Sequence, residues 1–274
     1  MNKRIINELA TYSPSEIITN ADRGGVPEIY SFVSERLGCV FNDRTSSLYK
    51  KDAYNEVLEH FGRDELDKAF LNESSPAVFA IAALLLYIAD TQKVDLSYLN
   101  EINCYDNNAY LGINVNTRRN LELCETMRTR EKKGTLLWVL DKTKTAMGAR
   151  LLRKWIEMPL VNCNEIIKRQ NAVKELYSDF ITKEEIQHLL SEIGDLERLM
   201  TRVVYNTKNG KDMKAIEQSI SVIGPIKKYL SNFKSEELTK LCGDLDTLSD
   251  IAGYINNAIK DDPPFSIREG GFIK

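Results

Sequence analysis

The stretch from Gly134 to Leu160, GTLLWVLDKTKTAMGARLLRKWIEMPL, constrains the fold more than any other part of the chain. Gly148, Leu151, Leu152, Trp155 and Ile156 recur at i, i+3, i+4, i+7 and i+8, the spacing that gathers side chains on one face of an α-helix. Arg150, Arg153 and Lys154 are left for a wet side. Thr143 or Thr145 is placed to cap the free N–H groups of the first turn, and Met158-Pro159 ends the helix because proline pushes the residue before it out of the α region. A helix written this way has to lay its apolar face on other helices, so the chain is expected to be mainly α.

The flanking sequence supports that class. Residues 1–45 read as a piece of α/β structure, with a helix finishing at Tyr12, a strand at Glu16–Thr19, a helix at Pro27–Leu37 and a second strand at Cys39–Phe41. From residue 46 onward the pattern is helical. Tyr54, Val57, Leu58 and Phe61 mark one helix, and Pro76–Asp90 is apolar enough all round to predict burial on every side. Ile102 and Cys104, set across Asp106-Asn107-Asn108 from Leu111, Ile113 and Val115, predict a small β-hairpin. Asn162 with Glu165 and Thr182 with Glu185 have capping-box spacing, so each should open a helix. Leu196, Leu199, Met200 and Val203 mark another, and Met213 to Ile223 follow the Asn209-Gly210 turn. From Leu238 to Ile259 the apolar positions alternate in threes and fours, a seam expected to pack against the domain itself.

Composition excludes several functions. With 274 residues and 43% apolar content the chain can bury a sizeable core. Its net charge of −3 leaves no global footprint for a polyanion, so DNA binding by this segment alone should be weak. The longest apolar run, Ala77 to Ala89, is too short to cross a bilayer, and no leader is visible, which predicts a cytoplasmic protein. Cys39, Cys104, Cys124, Cys163 and Cys242 are scattered and odd in number, as reduced packed thiols would be. Gly210-Lys211 is the only Gly-Lys pair and lacks the rest of a phosphate-binding loop, so no ATP site is expected. His60 and His188 lie in separate helices without a nucleophile nearby. The expected catalytic, cofactor and metal sets are therefore empty.

Two groups of residues invite structural roles. Arg150, beside small Gly148 and Ala149, is placed to reach a buried carboxylate bidentately, with Asp195 or Glu197 as partner and Arg198 close by. Trp138 and Trp155 sit among leucines and are expected as core anchors. Arg128, Arg130, Lys132 and Lys133, with Lys142, Lys144, Arg150, Arg153 and Lys154, form a basic cluster. It reads either as the wet face of two helices, interrupted by Glu131 and Asp141, or as a weak patch facing DNA phosphate or an acidic face of a neighbouring domain, and the acidic balance of the whole favours the wet face.

The central stretch resembles a hallmark of the MutS family of DNA mismatch-repair ATPases, through Leu137, Leu140, Asp141, Thr143, Thr145, Met147, Gly148, Arg150, Leu152, Arg153, Trp155, Pro159 and Leu160. Asn116–Leu123, Ile167–Leu176, Asp195–Arg202 and Asp262–Ile273 are similar to further family segments, and Gly210-Lys211-Asp212-Met213 stands where the family has Pro-Arg-Asp-Leu. Pro14–Ile18 resembles the close of the family's connector domain, which has an RNase H-like fold.

The resemblance implies that residues 1–45 end a connector domain and that 46–274 open the core domain, before the lever helices and clamp. It implies a structural and allosteric relay between mismatch-binding and clamp modules on one side and the ATPase on the other, with Arg150, Asp195, Glu197, Arg198, Asp141 and Trp155 as structural or interdomain residues. The chain then reads as a piece of a longer protein. That protein would bind ATP, Mg²⁺ and mismatched double-stranded DNA through other modules, dimerise and meet other repair proteins. Two alternatives are the core of a homologue acting in recombination and a free-standing helical adaptor whose Leu238–Ile259 seam docks a partner helix.

Overall fold

The structure, a computed structural model, describes residues 2–20, 24–43, 52–93, 95–104, 109–205, 207–264 and 270–274. It divides into two compact units, 1–107 with 113–118 and 108–112 with 119–274.

The first unit opens with α1 (Asn2–Tyr12), β1 (Glu16–Thr19), α2 (Pro27–Phe32), a π turn over Val33–Leu37, and β2 (Val40–Asp43). β1 and β2 pair in parallel, Glu16 opposite Val40 and Thr19 opposite Asp43, and α2 is the crossover that a parallel pair requires. Gly38 adopts the left-handed φ of 62° that stops the helical run. Ile29, Val33 and Cys39 are buried under Ile6, Leu9, Ile17 and Phe41, so the α/β character expected of residues 1–45 is present. The same unit continues with α3 (Ala53–Phe61), α4 (Arg63–Lys68) and α5 (Pro76–Gln92), whose Ala53, Val57, Leu66, Val78 and Ala82 make a second core.

Two expectations fail in this part of the chain. α5 is not buried on all sides: Val78, Ala82 and Ala83 are covered, whereas Phe79 and Leu84 are exposed. Apolar content marked a helix there but carried no information about which side would be covered. Nor does any described strand join Ile102 or Cys104 to Leu111, Ile113 or Val115, and the Asp106-Asn107-Asn108 turn lies outside the described residues. Instead the Asn114 carboxamide accepts the Thr117 N–H at 2.8 Å and turns the chain into α6 (Val115–Asn120).

In the second unit Tyr110 forms an antiparallel bridge with Leu160, flanked by Leu111 N–H to Pro159 C=O at 2.8 Å and Val161 N–H to Ala109 C=O at 3.1 Å. The helices follow as α7 (Leu136–Leu140), α8 (Ala146–Glu157), α9 (Cys163–Ser178), α10 (Phe180–Ser191), α11 (Leu196–Val204), α12 (Gly210–Ser221), α13 (Ile223–Leu230), α14 (Glu236–Asp244) and α15 (Ser249–Ala258). α8 has the predicted bounds, with Thr145 as its cap. Asn162 caps α9 through the Asn164 N–H, while α10 begins earlier than predicted because Asp179, not Thr182, supplies the cap.

The predicted seam is broken in two at Leu248, whose φ is +46°. Leu238 of α14 enters a core with Ala172, Ile186, Ile226, Leu230 and Phe233, whereas Ile255 of α15 enters another with Ile216 and Ile220. The seam packs against its own domain, as predicted, but serves two cores and not one continuous stripe.

Candidate functional site

α8 is held by local chemistry at its N-terminus and by distant side chains along its length. The Thr145 hydroxyl accepts the Gly148 N–H at 3.0 Å, and a Cβ on residue 148 would stand 2.9 Å from that hydroxyl, so glycine leaves room for the cap. Ahead of it, the buried Thr135 donates its hydroxyl to the Lys132 carbonyl at 2.6 Å and accepts the Trp138 N–H at 3.1 Å, capping α7. Asp141 folds the loop between α7 and α8 by accepting the Thr143 N–H at 3.2 Å and hydroxyl at 2.6 Å, and it takes the Lys132 ammonium as ion partner.

The Lys132 hydrogen bond, followed by Thr143, draws the Asp141 carboxyl from its ordinary 3.8 to about 2. A depressed folded-state pKa adds stability that is complete above the unfolded value and disappears as pH falls through the folded one. Asp141→Asn should therefore melt below the parent chain at about pH 6, and the two should converge as pH falls from about 4 to about 2. A melting difference that stays constant over that window would remove the assignment.

The middle of α8 reaches α11. The two terminal nitrogens of Arg150 donate to Asp195, Nη1 to Oδ2 at 3.1 Å and Nη2 to Oδ1 at 2.7 Å, and Nη2 also meets Glu197 Oε2 at 2.6 Å. Asp195 is itself the cap of α11, accepting the Arg198 N–H, and Arg198 Nε lies 3.3 Å from it. The Arg150 hydrogen bond holds the Asp195 carboxyl below the usual carboxylate range.

The bidentate pairing predicted from sequence is present, but its burial is not. The side chains of Arg150, Asp195 and Glu197 are 42%, 20% and 65% exposed, so the pair fixes geometry and contributes little stability.

Trp138 and Trp155 are corrected in the same sense. They are 48% and 41% exposed and anchor no core, and no residue of α8 is buried. The Arg169 guanidinium lies 3.8 Å from the centroid of the Trp155 ring, a cation–π contact that partly covers it. Helical periodicity had identified a shared face without saying what would cover it.

From α11 the contacts continue. Arg202 Nη1 donates to Asp212 Oδ1 at 2.6 Å, and Asp212, nearly buried, closes a capping box with Asn209 at the start of α12. At the same helix start Gly210 packs against Pro263, and Lys214 meets Asp261 at 3.5 Å. Beyond Pro263 the chain pairs back on itself, with an Ile259–Ile273 bridge and Lys260 N–H to Phe272 C=O at 3.0 Å. The segments around Arg150, Asp195, Asp212 and Pro263 thus meet one another in sequence order. The profile of MutS domain III matches residues 116–274, and that of MutS domain II matches 2–100.

The chain belongs to the MutS family. It is 41% identical over 273 residues to the DNA mismatch repair protein MutS of Ruminiclostridium cellulolyticum, covering 99% of this chain and 31% of that protein. The proteins of that name from Lachnoclostridium phytofermentans and Acetivibrio thermocellus are 40% and 38% identical, over 100% and 99% of this chain and 29% and 31% of theirs. The chain therefore spans less than a third of the length of these curated relatives.

Other predicted residues of this MutS-family chain fall outside the path. His60 Nε2 lies 2.8 Å from the Leu99 carbonyl, and His188 pairs with Glu192, so each histidine has a local structural partner. Arg128, Arg130 and Lys133 stand on the loop before α7, and among the described residues only Lys132 of that run has an ion partner. Glu175, which the sequence did not single out, accepts the N–H groups of Lys234 and Ser235 at 2.7 and 2.8 Å ahead of α14. No local signal could have found a partner 59 residues away. Among the described residues, no group of three His, Cys, Asp or Glu could hold a metal ion, and no helix is long and apolar enough to cross a membrane.

Proposed function

We propose that this chain is the relay region of a DNA mismatch-repair protein, a helical body that passes displacement between modules that read DNA and the module that turns over ATP. Its role in mismatch repair follows from the MutS family; the relay rests on one observation, the succession of contacts Lys132–Asp141, Arg150–Asp195, Arg202–Asp212 and Gly210–Pro263, joined to one another through α8, α11 and α12. Coupling between distant sites travels through packed elements and polar ties with discrete arrangements, and an exposed bidentate pair is well suited to be made and broken. Leu151 and Trp155, on the open face of α8, are the surface offered to the rest of the longer protein. That protein acts on mismatched double-stranded DNA in the cytoplasm, with ATP and Mg²⁺ held outside this chain, and works as a dimer with other repair proteins. This segment is itself no enzyme and does not select a mismatch. The names of the similar proteins favour repair over recombination, and the internally packed Leu238 and Ile255 leave little of the seam for a partner helix.

The test is Arg150→Ala in the full-length protein that carries this chain. Because the pair is largely exposed, its melting temperature should stay close to that of the parent and its affinity for mismatched duplex should hold. Mismatch-dependent stimulation of ATP turnover should fall about 10-fold, within the usual span of allosteric coupling. Arg150→Lys, which cannot fork onto both Asp195 oxygens, should restore little of it. Full stimulation in a folded Arg150→Ala protein would refute the relay.

A further inference from the structure

The basic residues flanking α7 are not the wet face of helices. Arg128, Arg130, Lys132 and Lys133 lie on the loop 126–134, and Lys142 and Lys144 on the loop 141–145. The first loop is rigidly closed: Arg130 N–H donates to the Thr126 carbonyl at 3.1 Å, Thr126 N–H to the Glu131 carbonyl at 3.0 Å and Glu131 N–H to the Thr126 hydroxyl at 3.2 Å. The Thr126 and Thr129 hydroxyls meet at 2.8 Å, and Arg130 holds a left-handed φ of 56°. Asp141 folds the second loop over Thr143, and the Lys132–Asp141 ion pair pins the two loops together.

That pairing uses one cation and one carboxylate. Arg128, Arg130, Lys133, Lys142 and Lys144 remain exposed, with no ion pair to any described residue. Residues 126–145 hold six cations and two carboxylates, a net +4 in a chain of net −3, which leaves −7 on the rest.

Such segregation matters more than the total. A polyanion is repelled by most of this surface and attracted at one face, so the field orients it as well as binding it. Duplex DNA presents about one charge per 1.7 Å of axis, and arginine forks match phosphate oxygens bidentately. Loops held by their own hydroxyl and backbone bonds display these cations from a backbone that need not be ordered on contact, so that the side chains alone are fixed. We infer that Arg128, Arg130, Lys133, Lys142 and Lys144 form a contact face for the sugar–phosphate backbone of double-stranded DNA, blind to sequence and to mismatches. The inference rests on the reading that this chain works alongside DNA, and adds a site that the relay does not require.

The experiment is fluorescence anisotropy of the chain with a 30-base-pair duplex, matched or carrying one mismatch, between about 25 and 200 mM salt. Matched and mismatched duplexes should bind equally. Affinity should fall with salt at a logarithmic slope of about 3 to 4.5, because each neutralised phosphate contributes about 0.9. Arg128→Glu with Arg130→Glu and Lys133→Glu should weaken binding about 10-fold or more at low salt and flatten the slope by about 2 to 3. Lys174→Glu with Lys228→Glu and Lys240→Glu, the same charge change at exposed sites elsewhere, should change affinity less than 3-fold. Equal losses in the two triple variants, an unchanged first variant, or displacement by polyglutamate as effective as by unlabelled duplex would overturn the inference. The relay reading fails by a different measurement, the loss of stimulated ATP turnover in full-length Arg150→Ala, which this assay does not touch.

Discussion

Leu66→Ala is expected to destabilise the first unit by about 3 kcal/mol, within the range of roughly 2 to 5 found for leucine truncated inside a packed core. Leu66 has no accessible surface and is set among Ala53, Val57, Val78 and Ala82, with Tyr54, Leu58, Phe61 and Leu71 at the margin. Residues of α3 and α5 and the Leu71 segment share this core with it, so the space left by the isobutyl group is not filled by one neighbour turning inward. The transition of this unit should move down by on the order of 10 °C, and amides of α3, α4 and α5 should exchange about 100-fold faster. Amides of α12 and α15, in the other unit and around a different core, should keep their protection. Uniform loss of protection across both units, or a change under about 1 kcal/mol, would contradict this account of the core.

Leu66 also shows where the sequence stops being informative. α4, Arg-Asp-Glu-Leu-Asp-Lys, has one apolar side chain and hence no period to read; that side chain is buried in the core it shares with residues of α3 and α5. α8 was legible to the residue because its signals are local: a threonine cap, an apolar stripe and a proline just beyond. The stripe could not reveal that Leu151 and Trp155 would stay open, since periodicity assigns faces and tertiary packing assigns their cover. Arg150 was expected to meet Asp195 or Glu197 and meets both, yet nothing local in the sequence could say that the group would stay exposed. Arg202 and Asp212 lay in recognised segments, and only the path of the chain between them made them partners. The hairpin failed for the opposite reason: a short alternation of apolar residues was outweighed by one asparagine cap and by the Tyr110–Leu160 pairing.

Gly210→Ala should cost about 2 kcal/mol, although alanine is the better helix former by about 1 kcal/mol in a helix interior. A Cβ at this first position of α12 would stand 2.7 Å from Pro263 Cβ, 3.2 Å from Pro263 Cγ and 3.6 Å from Phe272 Cβ. Both Gly210 and Pro263 are buried, and a pyrrolidine ring cannot rotate away as a flexible chain would, so the backbone around Pro263 has to move. That backbone is paired, through Lys260 N–H to Phe272 C=O at 3.0 Å and Lys274 N–H to Ala258 C=O at 2.9 Å, so the displacement would spread along both strands of the pairing. It would also disturb the helix start at which Asp212 receives Arg202, the last polar tie of the proposed relay. Glycine is the residue that lets Pro263 approach this closely, because it places no Cβ in the gap. A double-mutant cycle with Pro263→Gly isolates the contact: removing the ring should recover at least about 1 kcal/mol of the loss caused by Gly210→Ala, the coupling expected of residues in direct contact. Simple additivity of the two substitutions would show that the glycine answers to backbone freedom and not to the proline packed against it.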